Sequence, residues 1–191
     1  MEGTDALLHA LRVRGMVPDP GDAVAAAVVA AGQAVRKHSF LALTPAGRAE
    51  ADARLRLAHG SPEREATAAA YEGFVPLNTT LIKVCHDWQV RPGGAPNDHR
   101  DPAYDWGVID RLTALDEQAG ALVRRLAKRV ERFADYRERL HKARHRTADG
   151  EQEWLASPRC DSYHTVWMQL HEDLLVALGL ERGTSDAERV S

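Results

Sequence analysis

The sequence predicts a mainly α protein: a small N-terminal region over 1–58, an α-helical domain of four to five helices over 61–182, and a polar, frayed tail over 183–191. Three observations carry this. Apolar residues recur three and four positions apart in nearly every long segment, which places them on one face of a helix. Helix-start signals repeat as a Ser, Thr or Asp followed by proline, at Thr44-Pro45, Ser61-Pro62 and Asp101-Pro102. In each, the side-chain oxygen accepts an orphan amide of the first turn, and proline fits the first helical position, where no amide is needed. Only Phe40-Leu-Ala-Leu43 reads as a strand, so at most one β-hairpin is expected.

Taken in order, Thr4 to Val13 reads as a helix with Leu7, Leu8 and Leu11 on one face and Thr4 or Asp5 as its cap. Val17-Pro-Asp-Pro-Gly21 reads as a turn, and Asp22 caps an alanine-rich helix running to about Ala34. After the Phe40–Leu43 strand, Thr44 and Pro45 start a helix that His59-Gly60 ends. Ser61-Pro62 starts the next, with Tyr71, Phe74, Leu81, Ile82, Cys85 and Trp88 on one face, and Pro76 inside it should kink or interrupt it. Residues 89–100 form a Pro/Gly-rich loop. Asp101-Pro102 opens a helix through Tyr104, Val108, Ile109, Leu112 and Leu115, and Gly120 marks a break before an arginine-dense helix over 121–147. Ala148-Asp-Gly150 is a turn, Trp154 and Leu155 sit in a connector, and the last helix follows Asp161 and stops at Gly179.

An apolar fraction of 44% is enough for a core, and a formal charge of −3 argues against wrapping nucleic acid by bulk charge. The two cysteines, Cys85 and Cys160, match no zinc or redox spacing and read as free thiols of a reducing cytoplasm. No secretory leader is visible at the N-terminus, and the longest apolar run, Ala23 to Ala31, is too short to span a membrane. A cytoplasmic chain with no membrane partner is expected.

The last helix is the most informative stretch. At 100° per residue, His164 and His171 fall in the middle of its apolar stripe, between Trp167 and Leu175. Asn78 sits inside the stripe of the helix before Trp88, and Asp105 lies between Leu112 and Ile109 on the apolar side of its own helix. If these helices pack side by side the polar groups converge, with Asp98 and His99 covering one end. Three readings stay open. The groups are satisfied core residues that fix helix register, or they line a small-molecule pocket in a helical bundle, or one histidine shares a metal with Asp105 or Asp98. His164 and His171 are about 10 Å apart along the helix, too far to share one ion. The expectation is a pocket with no metal and no cofactor. In it His164, His171 and Asp105 form the acid/base group, and Asn78, Trp88, Asp98, His99, Tyr104, Asp161, Tyr163 and Trp167 contact the ligand. No serine or cysteine motif suggests a covalent nucleophile, and Cys85 reads as packing.

Residues 121–146 carry ten Arg or Lys against three acids. Lys and Arg are good helix formers, so this reads as the solvated face of a bundle helix rather than a phosphate track.

Two stretches resemble a known family. Phe40-Leu-Ala-Leu-Thr-Pro-Ala-Gly-Arg-Ala-Glu50 resembles the last wing strand and following helix of MarR-like winged helix-turn-helix regulators. The later chain resembles the C-terminal part of a group of actinobacterial transcriptional regulators. That likeness rests on Asp87-Trp88-Gln89, Asn97-Asp98-His99, Tyr104-Asp105, Asp161-Ser-Tyr-His-Thr-Val-Trp167 and Leu170-His-Glu-Asp-Leu-Leu175. It covers most of the chain and implies a winged-helix N-terminal domain joined to a helical domain. It brings no ligand, reaction or catalytic residue. MarR-like regulators are dimers, so it also implies a homodimer, though no long coiled-coil pattern accompanies it.

The sequence departs from that family in one place. A helix-turn-helix needs two helices joined by a short turn, the second entering the major groove. Between Val17 and Phe40 there is room for one good helix, and Gln33 is its only long polar residue before Arg36 and Lys37. Residues 1–58 hold seven basic and six acidic side chains, so they form no basic patch. The N-terminal region therefore reads as a degenerate winged helix in which Arg36 and Lys37 are the candidate phosphate contacts. Two functions are compatible with this. The chain is a ligand-responsive MarR-like regulator homologue with a His/Asp-lined pocket in its helical domain. Alternatively, it is a small-molecule enzyme repurposed from one, doing a cyclisation, dehydration or isomerisation in secondary metabolism by acid/base chemistry.

Overall fold

The computed structural model describes residues 3–181; the tail predicted over 183–191 lies outside them. Among the described residues there are eight α-helices and one small antiparallel sheet, so the protein is mainly α. The elements are α1 (Gly3–Arg14), β1 (Met16–Pro18), α2 (Ala23–Ala30), β2 (Ala34–Lys37), β3 (Phe40–Leu43), α3 (Pro45–Leu55), α4 (Pro62–Gln89), α5 (Pro102–Ala127), α6 (Ala134–Ala148), α7 (Glu153–Ala156) and α8 (Tyr163–Leu178). Two compact units emerge. Of the described residues, one comprises 3–64 and 171–181; the other is Glu65–Leu170.

In the first unit the strand order is β1-β3-β2. Arg36 pairs with Leu41 and Lys37 with Phe40, so His38 and Ser39 make a two-residue hairpin turn, and His38 takes the positive φ of 56° such turns require. Leu8, Leu11, Val28, Leu41, Ala51, Leu55 and Val176 form the core under this sheet. The run expected to turn at Val17 instead pairs Met16 with Ala42 and Val17 with Leu41. Pro18 is tolerated there because β1 is an edge strand. The alanine-rich helix is also shorter than expected. It stops at Ala30, and Ala34 begins a strand after Gly32, whose φ is +70°.

The start of α3 explains its sequence residue by residue. Thr44 Oγ1 accepts the Gly47 amide at 3.0 Å and donates to the Gly32 carbonyl at 2.7 Å. Pro45 occupies the first turn. Gly47 is needed because a Cβ there would lie 1.7 Å from the Gln33 carbonyl oxygen. The helix ends at Leu55, before His59-Gly60, because the chain turns extended at Arg56 and the Leu57 amide bonds to the Ala177 carbonyl of α8.

In the second unit α4 runs unbroken through Pro76, whose missing amide frees the Glu72 carbonyl without ending the helix. The aromatic centre is Phe74 stacked on Trp167, centroids 4.6 Å apart, with Tyr163 beside Trp167 at 6.1 Å. Gly120 does not break α5. A Cβ there would sit 2.4 Å from Nε of Arg137, so the glycine is where the α6 arginine lies against α5. The interruption falls later, at residues 128–133, where the Arg129 and Val130 amides both bond to Leu126 and a single 3₁₀ turn leads into α6. The arginine-dense stretch is thus the end of one helix and the whole of another.

Candidate functional site

Three of the short motifs come together at the junction of α4, the loop after it and α5. Asp101 caps α5 by accepting the Tyr104 amide, which sets Asp105 in the first turn. The chain between the helices doubles back through an isolated bridge of Val90 with Pro96. His99 takes φ +57°, which aims it back at the helix ends. Its Nδ1 lies 3.0 Å from Oδ2 of Asp105, and Asn97 Nδ2 donates to the other Asp105 oxygen at 2.8 Å and to the Trp88 carbonyl at 3.1 Å. The His99 ring packs on Trp88 with centroids 4.5 Å apart. Trp88 Nε1 donates to the Gln152 carbonyl, and the Tyr104 hydroxyl donates to the Asp87 carbonyl at 2.8 Å. A carboxylate on Nδ1 selects the tautomer whose Nε2 carries the lone pair, the arrangement of a positioned general base. The same bonds also staple the loop to the helices.

The other predicted site residues are not gathered there. Asn78 Oδ1 accepts Trp167 Nε1 at 2.9 Å, so it satisfies a buried indole. Tyr163 lies fully buried, with its hydroxyl pushed well above the usual phenol value, chiefly by burial and then by Asp116. His164 is half-buried, and desolvation alone lowers its pKa. His171 is buried on the part of α8 that belongs to the first unit. Asp161 is exposed and held by Arg139 at 3.1 Å, and Asp98 is exposed with its carboxylate on the Arg100 amide. Asp105, expected beside a histidine of the last helix, takes His99 instead. Burial pushes the Cys85 thiol up to about 12, so it packs and does not react. Among the described residues no group of three or more His, Cys, Asp and Glu is placed to hold a metal.

Sequence reasoning missed a second cluster. Asp116 is 2% exposed and faces α6. One of its oxygens lies 3.2 Å from His141 Nδ1, 3.5 Å from Arg137 Nη1 and 4.0 Å from Arg144 Nε, and the other accepts the Tyr163 hydroxyl at 3.5 Å. His141 and His145, one turn apart, bring their Nε2 atoms within 2.9 Å. A signal was present: Asp116 lies between Leu115 and Ala119 on the buried side of α5, and an unpaired carboxylate there is untenable.

A cleft of about 700 Å³ lies between α4 and α5 in the second unit. Its floor is Leu77, Val84, Leu115 and Leu122, and its charged lining is Lys83, Arg111 and Arg125 with no acid. An adjoining hollow of about 240 Å³ continues along Ala66, Ala69, Ala70 and Gly73 and shares Leu122 and Arg125. None of Asn78, Asp105, His164 or His171 lines either one. A concavity in the first unit, about 480 Å³, is balanced in charge, with Arg12, Arg48 and Arg56 against Asp52, Glu172 and Glu181.

Of the two candidate phosphate contacts, Arg36 donates to Asp19 at 2.7 Å, and only Lys37 points out unpaired among the described residues. The exposed face of α2 is Ala23, Ala26, Ala27 and Ala30. No protein-family model, no curated protein and no solved structure matches the chain.

Proposed function

We propose that the chain is a small-molecule-binding homologue of MarR-like regulators whose helical unit holds the ligand and whose N-terminal unit no longer reads DNA directly. The observation that carries this is the α4–α5 cleft, whose 700 Å³ lies within the usual range for ligand sites, roughly 300–1,000 Å³. The N-terminal part of the reading is supported by the strand order β1-β3-β2 and the β2–β3 hairpin, which fit a wing. It is also supported by the single helix between β1 and β2, where a helix-turn-helix has two. This modifies the pocket foreseen from the sequence: the ligand surface is apolar with basic edges rather than lined by His and Asp.

A second reading, an acid/base enzyme, is favoured by the His99–Asp105 pair, since the ring is only partly covered and its Nε2 has no partner among the described residues. One experiment serves both. A metabolite library is screened by thermal unfolding on the wild type and on Ala114→Trp, which fills the cleft from an exposed lining position. A ligand at a hundred times its Kd should stabilise the wild type by about 2.7 kcal/mol and Ala114→Trp by little. Compounds that bind are then incubated with wild type and His99→Gln. Conversion by the first and not the second makes the chain an enzyme; binding without conversion leaves a sensor or carrier. If no compound binds, or if Ala114→Trp binds as well as the wild type, the cleft is not the site.

A further inference from the structure

The lining of the cleft also constrains the chemistry of its occupant, an inference that rests on the cleft being the ligand site. The floor is aliphatic, the walls add Ala114, Ala121 and Gly73, and the only uncharged polar side chains of the lining are Thr80 and Gln118. Each already makes a bond within its own helix: Thr80 Oγ1 donates to the Pro76 carbonyl at 3.1 Å, and Gln118 Nε2 donates to the Ala114 carbonyl at 3.3 Å. An uncharged polar ligand would find only the lone pairs of Thr80 and the remaining amide groups of Gln118, both on exposed side chains, and would gain little over water. The charged groups are all basic and sit at opposite ends. Lys83 lies ten residues beyond Gly73 on α4, about 15 Å along the helix, whereas Arg125 lines both hollows beside Gly73 and Leu122.

The two ends differ electrostatically. At the Lys83 end, Arg111 is already engaged, donating to Asp87 at 2.6 Å, and that carboxylate adds a negative charge. At the other end Arg125 has no ion-pair partner among the described residues. The acids of the two helices nearest the cleft, Glu72, Asp110 and Glu117, lie outside its lining. A second copy of this chain is a poor occupant, because a two-fold contact through this face would bring like charges together.

We infer that the cleft takes an elongated apolar anion, its hydrocarbon or aromatic body along α4 and α5 and its carboxylate, or an equivalent single-charged end, at Arg125. The body is bound by burial of apolar surface, and Arg125 sets the orientation and favours the anion over its neutral analogue.

The test is calorimetric titration of the wild type, Arg125→Gln, Lys83→Gln and Ala121→Arg with decanoate and 1-decanol below their aggregation concentrations. Glutamine is as good a helix former as the residues it replaces, so the fold is kept. Decanoate should bind the wild type at least fivefold more tightly than decanol. Arg125→Gln should erase that preference, at about fivefold for one exposed charge pair, and leave decanol unchanged; Lys83→Gln should have a smaller effect. Equal binding of the two probes, or a preference that survives Arg125→Gln, overturns the anion assignment while the cleft remains a ligand site. If neither probe binds, and the wild type but not Ala121→Arg sediments as a dimer, the face seats a second copy, and both the inference and the ligand reading fail.

Discussion

A buried carboxylate is the most demanding single residue in the second unit. Asp116 is 2% exposed, and its cost in desolvation is offset only because three cationic or cationisable groups and a phenol meet it. Two of those partners, Arg137 and His141, are themselves 25% and 44% exposed at their side chains, so solvent screens part of their attraction. Removing the charge should therefore cost less than a fully enclosed pair would. Asp116→Asn leaves Arg137 and Arg144 facing a neutral amide and keeps the hydrogen bond from Tyr163. We expect a loss of about 2–3 kcal/mol in urea unfolding, below the roughly 3–5 kcal/mol of a broken buried pair. A loss under about 0.5 kcal/mol would mean the cluster is an accident of packing. Helical periodicity could place Asp116, Asn78 and Asp105 on inner faces, and it did so correctly for Asn78 and Asp105. It could not choose their partners, because a helical angle names a face and not the neighbour across it. Asp105 was legible as inward, and the loop residue His99 was flagged beside it, but their pairing depends on a positive φ at His99 that no spacing reveals.

Element boundaries divide between those written in side chains and those set by tertiary contact. The caps were legible: Asp22, Thr44, Ser61 and Asp101 each accept an amide three residues on. The three- and four-residue strands β1 and β2 were not, because so short a strand is made by its partner β3 rather than by its own pattern. Glycine shows the same division. Gly120 reads as a helix break in one dimension and is a contact point for Arg137 in three. Gly47 is the sharper case, since a Cβ would overlap backbone and not a movable side chain. The Gln33 carbonyl it would strike also accepts the Thr44 amide at 3.0 Å, so it cannot retreat without releasing the cap of α3. Gly47→Ala should therefore destabilise the chain by about 3 kcal/mol, at the upper end of overpacking, despite alanine's better helix propensity of roughly 1 kcal/mol. The readout is chemical denaturation, with Ala51→Gly at a buried position of the same helix as a reference. A neutral or stabilising Gly47→Ala would show that the α3 start can shift and that the glycine is not required.

At the scale of the whole molecule, the question is whether any surface can hold a polyanion. The net charge is −3, and several cations of the first unit are already paired with carboxylates. Arg12 lies between Asp52 and Glu172, each at 2.5 Å; Arg54 bonds to Asp5 and Glu50; Arg36 bonds to Asp19. A cation already paired with a carboxylate gains little from a phosphate, since the gain must first break the existing pair. The one helix between β1 and β2 exposes alanines, which carry no donor to a base edge. The β2–β3 hairpin alone, with Lys37 as its free charge, neutralises about one phosphate, which corresponds to a salt slope near 0.9 in log–log form. We therefore expect a labelled duplex to bind no more tightly than non-specific association, roughly 10⁻⁴–10⁻⁶ M at physiological salt, with no preference among sequences. Fluorescence anisotropy across a salt series checks this, with Arg36→Gln/Lys37→Gln as the comparison. Because Arg36 is held by Asp19, the double substitution should lower the slope by at most about one unit, from Lys37 alone. Nanomolar binding to a particular duplex, with a slope of several units that falls by two in the double variant, would place the hairpin on DNA and restore the regulator in full. Such a result would also require a groove-reading surface outside α2, because four exposed alanines cannot supply one.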